Sequence, residues 1–408
     1  MRREWALVGL LSLTATVSYL CRVNVSVAGA GMRSGLGLTQ TQMGAVFSAF
    51  LVGYALCQVP GGMLADRWGA RRVLAVASLA WAGITAWIAG LGSYFLALLA
   101  ARFCLGVAEA PMFPSAAQAI AAWLPPDRRG RANGAVIAAV GIGSAIAPPW
   151  LTFVMVRAGW RAALLAPALP ALLVAVLWWT VRIPEHRHVP PAQPGGDARL
   201  PRSRSFVLLT LSYTLQGYTG YIFVFWFYLY LVEVRHFDLL RSAVLSSLPW
   251  VLSIVSIPFG GWLFDRLGRF RRAVPIVGMA GAGLFTAVGA GTANPWWAAA
   301  SLALATALIL SVEGAFWATM TSLAGPRSGA AGGLMNMGSN LGGLISPALT
   351  PALAARFGWE RALFVSAAMA VVGAALWFWI REAPETQAGP GTAAPVPYPE
   401  IPPGNARA

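Results

Sequence analysis

Long apolar runs, separated by short polar stretches, recur along almost the whole chain. A helix needs roughly 20 mostly apolar residues to cross a bilayer, and a soluble protein with one core would not repeat such runs so regularly. The pattern therefore predicts an all-α membrane protein with twelve transmembrane helices embedded in a lipid bilayer. The predicted spans cover residues 5–31, 41–63, 73–91, 94–123, 133–156, 160–181, 205–232, 242–263, 273–292, 296–323, 330–354 and 360–380.

Composition and charge narrow this picture. Hydrophobic residues make up 58% of the 408 residues, charged residues 11%, and the mean hydropathy is +0.65. The net charge of +15 would favour a nucleic-acid partner for a soluble domain. With the amino terminus in the cytoplasm, however, twenty arginines lie on the cytoplasmic side and seven on the other. This positive-inside asymmetry predicts that both termini are cytoplasmic, and it indicates no nucleic-acid partner.

One spacing relates the two halves of the chain. The segment GMLADRWGARR at 62–72 returns as GWLFDRLGRFRR at 261–272, with Asp66 and Asp265 separated by 199 residues. Because an even number of spans separates the copies, we predict two six-helix halves in the same orientation, related by an axis along the membrane normal. The same spacing pairs Arg128, Gly130, Pro148, Arg157, Gly159 and Trp160 with Arg327, Gly329, Pro347, Arg356, Gly358 and Trp359.

One segment without an apolar run lies between the two halves, and another follows the second half. Residues 182–204 are rich in Pro, Gly, Arg and His and predict a cytoplasmic linker. Residues 381–408, rich in Pro, Ala and Gly, predict a disordered cytoplasmic tail. The N-terminal half is therefore expected to cover residues 1–181 and the C-terminal half residues 205–380.

The doubled loop G-x-L-a-D-R-x-G-x-R-R, after spans 2 and 8, resembles the signature of the major facilitator superfamily. An arginine-rich loop that serves topology alone would explain the arginines, but not an aspartate and a glycine at fixed places in both copies. We therefore hypothesise a charge cluster that holds the cytoplasmic faces together in one state and releases them in another. The predicted gating residues are Asp66, Arg67, Arg71, Arg72, Asp265 and Arg266.

Four ionisable residues, Arg22, Arg102, Glu109 and Glu313, lie well inside predicted spans. A charge at the centre of a membrane helix costs roughly 2.5 to 3.5 kcal/mol, so such residues tend to face the interior of the helix bundle. Arg102 and Glu109 are seven residues apart on one helical face, and Tyr19 lies one turn before Arg22. The alternative is two structural ion pairs, Arg22 with Glu109 and Arg102 with Glu313.

A narrower resemblance covers nearly the whole chain. The stretches YLCRVNVSVA in span 1, SAFLVGYALCQVPGG in span 2, ARFCLGVAEAPMFPSAAQAIAAWLPPDRRGRA in span 4 and GYIFVFWFYLYLVEVRHF in span 7 are similar to the anion:cation symporter family. The resemblance implies that Arg22 binds the substrate carboxylate, with Tyr19 and Tyr54 hydrogen-bonded to it. It also implies that Arg102 helps to position Glu109, the residue that carries the proton. Asn336 and Asn340 of span 11 match polar positions that face the cavity.

The chain departs from this family at Cys21, where bacterial members commonly have an aspartate before the span-1 arginine. Proton coupling would therefore rest on Glu109, with Glu313 as a second candidate. In span 7, Gln216, Tyr218, Tyr221 and Trp226 mix ring faces with hydrogen-bonding groups, which suits a polyhydroxylated acid. Among them, Tyr221 is expected to bind substrate. Helix packing and an aromatic belt would explain Trp226, Tyr228 and Tyr230 equally well.

These observations predict a secondary active transporter, not an enzyme, that takes up a small organic anion, such as a sugar acid, with protons by alternating access. No cofactor or metal is expected, because the sequence has no P-loop and no metal-ligand spacing. We expect a monomer. We place it in the inner membrane, since a composition that is rich in alanine and has arginine as its only basic residue besides histidine is typical of GC-rich bacteria. Two alternatives stay open: an efflux antiporter, which Ala147 before Pro148 disfavours, and a sensor that does not transport.

Overall fold

The computed structural model describes residues 2–91, 94–124, 126–181, 203–324 and 328–381, and these segments are almost entirely helical. The predicted tail after residue 381 lies outside the described residues, and so does the predicted linker apart from its last two residues. The helices of the N-terminal half are α1 (Arg2–Leu36), α2 (Gln40–Trp68), α3 (Ala70–Leu91), α4 (Phe95–Glu109), α5 (Met112–Trp123), α6 (Pro126–Leu165) and α7 (Ala168–Thr180). Those of the C-terminal half are α8 (Arg204–Phe225), α9 (Phe227–Glu233), α10 (Leu239–Arg266), α11 (Ala273–Gly291), α12 (Pro295–Ser311), α13 (Glu313–Ala324), α14 (Ser328–Phe357) and α15 (Trp359–Leu376).

Every predicted span lies on these helices, but four spans are broken, namely the fourth, sixth, seventh and tenth. Helices α4 and α5 form the fourth span, α8 and α9 the seventh, with a 52° bend, and α12 and α13 the tenth. The fifth and sixth spans share α6, which turns at Gly159, and the sixth continues in α7. Within the described residues, eight helices are long and apolar enough to cross a membrane, or nine if the bent pair α8 and α9 counts as one.

Glycines with positive φ end or interrupt helices at equivalent places in the two halves. Gly69 ends α2 with φ of 81°, and Gly268, 199 residues later, follows α10 with φ of 50°. Gly159 and Gly358, separated by the same 199 residues, have φ of 84° and 87°. L-residues with a Cβ rarely adopt this backbone region. The glycine of the doubled loop is therefore explained by its backbone conformation, independently of the arginines of that loop.

Two hydrogen bonds between the halves are images of one another under the same spacing. Ser48 Oγ donates to the Leu344 carbonyl at 2.8 Å, and Ser247 Oγ donates to the Ala145 carbonyl at 2.7 Å. Moving each residue of one pair by 199 positions gives the other pair. On the axis itself, Ser26 Oγ donates to the carbonyl of Phe225, its own equivalent, at 2.5 Å. The two halves are thus related by an approximate two-fold axis that passes between α1 and the bend of α8 and α9.

The contacts between the halves concentrate on one side of the protein. We call the face that carries Arg71 and Arg266 the arginine face, and the face that carries Leu36 and Glu233 the opposite face. Among described residues, every hydrogen bond between the halves except the one from Asn336 to Gln58 lies toward the opposite face. The opposite face is closed by these bonds, by the Arg33–Glu233 salt bridge and by the packed rings of Phe47, Phe225 and Trp226.

The outer surface of the helix bundle is apolar. Large hydrophobic side chains such as Leu56, Leu169, Val255, Val277 and Trp297 are more than 60% exposed. A soluble monomer rarely exposes so much contiguous apolar surface. In a bilayer these side chains contact lipid instead of water, so the surface fits a multi-pass membrane protein.

Candidate functional site

The Arg22 side chain forms a salt bridge inside the N-terminal half. Its Nε and Nη2 atoms donate to Oε2 of Glu109 at 3.1 and 3.0 Å, and Nη1 donates to the Tyr19 hydroxyl at 3.2 Å. Arg22 is 3% exposed and Glu109 is 1% exposed. The Arg22–Glu109 pair weighed from the sequence is therefore present. A guanidinium pairs well with a carboxylate because its planar fork presents several donors in a fixed geometry.

Three aromatic rings enclose the Arg22 guanidinium. Its Cζ atom lies 4.5 Å from the ring centroid of Tyr19, 4.7 Å from that of Tyr54 and 4.9 Å from that of Phe50. Such cation–π contacts stabilise a desolvated cation without neutralising it. Phe50 is a residue that sequence reasoning missed. The signal was available, since Phe50 lies four residues before Tyr54 and therefore on the same face of α2.

Arg102 lies behind this pair and is 0% exposed. Its Nη2 atom donates to the Arg22 carbonyl at 3.3 Å, and its Cζ atom lies 4.9 Å from the Phe50 ring. Its Nε and Nη1 atoms, and Oε1 of Glu109, have no hydrogen-bond partner among the described residues. Buried donors left without an acceptor are costly. The site therefore holds unsatisfied cationic donors directly beside Arg22.

The two prolines that follow Glu109 explain where α4 ends. Pro111 and Pro114 have no backbone N–H, so the carbonyls of Val107 and Ala110 lose the donors that a continuing helix would supply. Helix α4 therefore ends at Glu109, and α5 begins at Met112. Arg102 and Glu109 remain on the same face of α4, as their spacing predicts.

Glu313 opens α13, on the other side of the bundle. Its carboxylate accepts hydrogen bonds from the Tyr213 hydroxyl, from Gln216 Nε2 at 3.3 Å and from Trp317 Nε1 at 3.3 Å. The second ion pair weighed from the sequence, Arg102 with Glu313, is not formed in the described structure. Tyr213 was missed by sequence reasoning, although it lies one turn before Gln216 on α8.

The remaining polar residues predicted to line the cavity divide into two groups. The Tyr221 hydroxyl donates to Asn340 Oδ1 at 3.4 Å, and Asn336 Nδ2 donates to Gln58 Oε1 at 3.5 Å across the halves.

The other predicted residues of span 7 pack inside the protein. The hydroxyl of Tyr218 contacts Thr350, Trp226 Nε1 donates to the Pro347 carbonyl, Tyr228 contacts Thr152, and Tyr230 accepts from Arg235. All four rings are buried, so none belongs to a lipid-facing belt.

The predicted gating residues occupy the arginine face. Arg71 donates to the carbonyls of Trp178 and Trp179 at 3.0 and 2.6 Å, which caps the C-terminal end of α7 in the same half. The other described side chains of this set are exposed, and none of them forms a described contact between the halves. They are those of Arg67, Arg72, Asp265 and Arg266. The side chain of Asp66 lies outside the described residues.

No group of three or more His, Cys, Asp or Glu side chains that could hold a metal occurs among the described residues. Cys21 is buried, and its Sγ atom lies 3.8 Å from the Pro167 carbonyl. Cys57 and Cys104 are half-buried free thiols. In the described structure the cysteines therefore act as packing residues.

The family model of the Major Facilitator Superfamily matches residues 11–338 and 323–403 of the chain. The chain belongs to the Major Facilitator Superfamily. It is 32% identical to the "Probable sulfoacetate transporter SauU" of Cupriavidus necator, over 94% of this chain and 96% of that protein. It is 27% identical to the "D-galactonate transporter" of Escherichia coli, over 91% of this chain and 94% of that protein.

The structure resembles a solved structure of the same architecture. That structure is a bacterial homologue of the human lysosomal transporter Spinster, in an inward-facing and occupied conformation. The TM-score is 0.80, with 20% sequence identity over 93% of this chain and 96% of the other. This likeness confirms the predicted Major Facilitator fold. The chain is thus a multi-pass membrane transporter and not an enzyme, as its sequence predicts.

Proposed function

We propose that this transporter takes up a small organic anion together with protons across the inner membrane, as a monomer with both termini in the cytoplasm. One observation carries the proposal. The Arg22 guanidinium, enclosed by aromatic rings, lies beside unsatisfied donors of Arg102 in the same buried site. Two cations so close together favour an anionic ligand, and a carboxylate or sulfonate matches their planar forks. The names of the sulfoacetate and D-galactonate transporters support an acid as the substrate.

Glu109 competes with the substrate for Arg22. While Glu109 is ionised, its Oε2 atom occupies two of the donors of the Arg22 fork. Protonation of Glu109 would remove that competing charge and free the fork for the anion. Binding of the anion and binding of the proton then favour each other, because the linkage between two ligands is reciprocal. Cys21, which stands in place of the family's aspartate, donates its thiol hydrogen to the Pro167 carbonyl, so the proposal assigns the proton to Glu109.

The neighbouring polar groups would orient the bound anion. Tyr19 and Tyr54 flank Arg22 in the N-terminal half, while Tyr221 and Asn340 form a hydrogen-bonded pair in the C-terminal half. Asn336, bonded to Gln58 on the arginine side, would complete the set. Arg102 is more deeply buried than these residues, so its role would be to position Arg22 and to hold positive charge at the site.

Alternating access would come from rocking of the two halves about this site. The positive-inside asymmetry makes the arginine face cytoplasmic, so the closed opposite face corresponds to a state sealed from the outside. The predicted gating residues, which make no described contact between the halves in this state, would then form their contacts when the arginine face closes. They are Asp66, Arg67, Arg71, Arg72, Asp265 and Arg266.

A thermal-shift screen of the purified chain against organic acids tests this proposal. A ligand that binds only the folded state raises the apparent stability. We expect acids of one class to stabilise the wild type and the matched control Arg157→Gln, which changes an exposed arginine stacked on Phe153. Arg22→Gln should abolish that shift. Equal shifts in both variants would remove Arg22 from the site, and stabilisation by cationic or neutral drugs alone would favour the efflux antiporter.

A further inference from the structure

Glu313 lies in the C-terminal half, across the site from the arginines, and its surroundings assign it to the substrate. We propose that its carboxylate binds a hydrogen-bond donor, a hydroxyl or an ammonium group, at the far end of the transported anion. The substrate is then a monoanion whose donor group lies remote from its acid group, and a second acid group at that end is repelled. This inference rests on the proposed function, because that function assigns the acid end of the substrate to Arg22.

Uncharged donors hold the Glu313 carboxylate in place. The Tyr213 hydroxyl and Trp317 Nε1 donate to Oε1, and Gln216 Nε2 donates to Oε2. These bonds orient the side chain but do not cancel its charge. Within the described part of the chain, no arginine forms a salt bridge with Glu313, in contrast to the pair that Glu109 forms with Arg22. An uncancelled negative charge in a site of low polarity attracts donor groups, and cationic donors most strongly.

The backbone positions both glutamates at breaks of equivalent spans. Glu109 is the last residue of α4, and Glu313 is the first residue of α13. The fourth and tenth spans are related by the 199-residue spacing, but the two glutamates are not, since Glu313 lies five positions beyond the equivalent of Glu109. The C-terminal carboxylate is therefore not a copy of the proton-carrying one.

Two tyrosines connect this carboxylate with the arginine site. Tyr221 occupies the position that is equivalent to Arg22 under the 199-residue spacing. Its hydroxyl interacts electrostatically with both Arg22 and Glu313. The Tyr19 hydroxyl interacts in the same way with Glu109 and Glu313. The positive and the negative wall are thus close to the same two tyrosines. A ligand that spans them presents its acid group to Arg22 and its donor group to Glu313.

Matched acids of equal chain length test this inference on the full chain purified in detergent. Each set contains an alkanoate, its ω-hydroxy and ω-amino derivatives and the α,ω-dicarboxylate, in a three-carbon and a six-carbon series. We expect the wild type to bind a hydroxy or amino derivative at least about tenfold more tightly than the plain alkanoate, and the dicarboxylate most weakly. Comparison of the two derivatives decides between a hydroxyl and an ammonium group.

Three variants complete the test. Glu313→Gln, close in shape but uncharged, should remove the advantage of the donor group and improve binding of the dicarboxylate. Glu313→Asp should keep the wild-type order of the ligands, as should the control Glu360→Gln, which changes an exposed glutamate of the same half. The wild-type order alone tests the inference if Glu313→Gln does not fold.

The outcomes separate this inference from the proposed function. Binding that depends on Arg22 but not on the far end of the acid overturns the inference and keeps the proposed function. The absence of any Arg22-dependent acid binding overturns both. An unchanged ligand order in Glu313→Gln, with loss of accumulation driven by a pH gradient, also overturns the inference and makes Glu313 a proton carrier instead.

Discussion

The two halves line the site with equivalent backbone segments, but the side chains on those segments differ in their chemistry. The N-terminal wall holds two arginines and a glutamate paired with one of them. At the position equivalent to Arg22, the C-terminal wall has Tyr221, and its carboxylate, Glu313, is held by neutral donors. Two of the hydrogen bonds that close the opposite face, by contrast, are equivalent under the 199-residue spacing. Symmetry is kept at these two contacts between the halves, and it is lost at the proposed binding site.

The change with the largest expected effect removes the charge that competes for Arg22. Glu109→Gln should abolish accumulation driven by a pH gradient in proteoliposomes while substrate exchange continues, because the amide cannot release a proton. The control Glu360→Gln should accumulate substrate like the wild type. Persistent accumulation in Glu109→Gln would place the proton on another residue, and Glu313 would be the first to test.

A smaller effect is expected when the charge of Arg22 is kept but its fork is lost. Arg22→Lys should weaken acid binding about tenfold, since an ammonium group cannot donate two parallel hydrogen bonds or stack on three rings as a guanidinium does. Isothermal titration with the acid found in the screen measures this change. Arg157→Lys, on the exposed surface, is the matched control. An unchanged affinity would show that only the charge of Arg22 matters.

The equivalent residue of the C-terminal wall should matter less. Tyr221→Phe removes the hydroxyl that donates to Asn340 and keeps the ring that stacks on Phe225. Net hydrogen bonds between neutral groups contribute about 0.5–1.5 kcal/mol, so we expect about a threefold loss of acid affinity. Tyr218→Phe, in a buried contact with Thr350, is the control for the loss of a tyrosine hydroxyl. A loss as large as that of Arg22→Gln would contradict the unequal roles of the two walls.

The smallest effect tests the symmetric part of the comparison. Ser48→Ala and Ser247→Ala each remove one of the two equivalent hydrogen bonds. Each should therefore lower the free energy of opening of the opposite face by a similar amount, about 0.5–1.5 kcal/mol. The effects should add in the double variant, because the two bonds lie at separate contacts. Pulsed EPR distances between labels at residues 157 and 356, in a cysteine-free background, report the population of the open form. Strongly unequal effects would show that the two contacts are not equivalent in energy.

Sequence patterns predict much of the fold because lipid leaves few options for the backbone. Each predicted span is helical, since a chain in a bilayer must satisfy its backbone hydrogen bonds within itself. The breaks within spans 4, 6, 7 and 10 were not predicted. Spans 4 and 6 have prolines at their breaks, but Trp226 and Val312, where spans 7 and 10 break, carry no such local signal. Those breaks depend on packing against neighbouring helices.

By itself, the sequence determined the number of spans, the spacing of 199 residues and the set of buried charges, because each is written in local composition or in a repeated motif. Only the tertiary structure decided which charge pairs with which. Helical spacing places Arg102 and Glu109 on one face, yet the partner of Glu109 is Arg22, which lies 87 residues away in the chain. The environment of Glu313 was equally hidden, since its donors Tyr213 and Gln216 lie on a helix about 100 residues earlier. Contacts between distant segments depend on helix rotation and on the closure of one half against the other, and no local pattern records either.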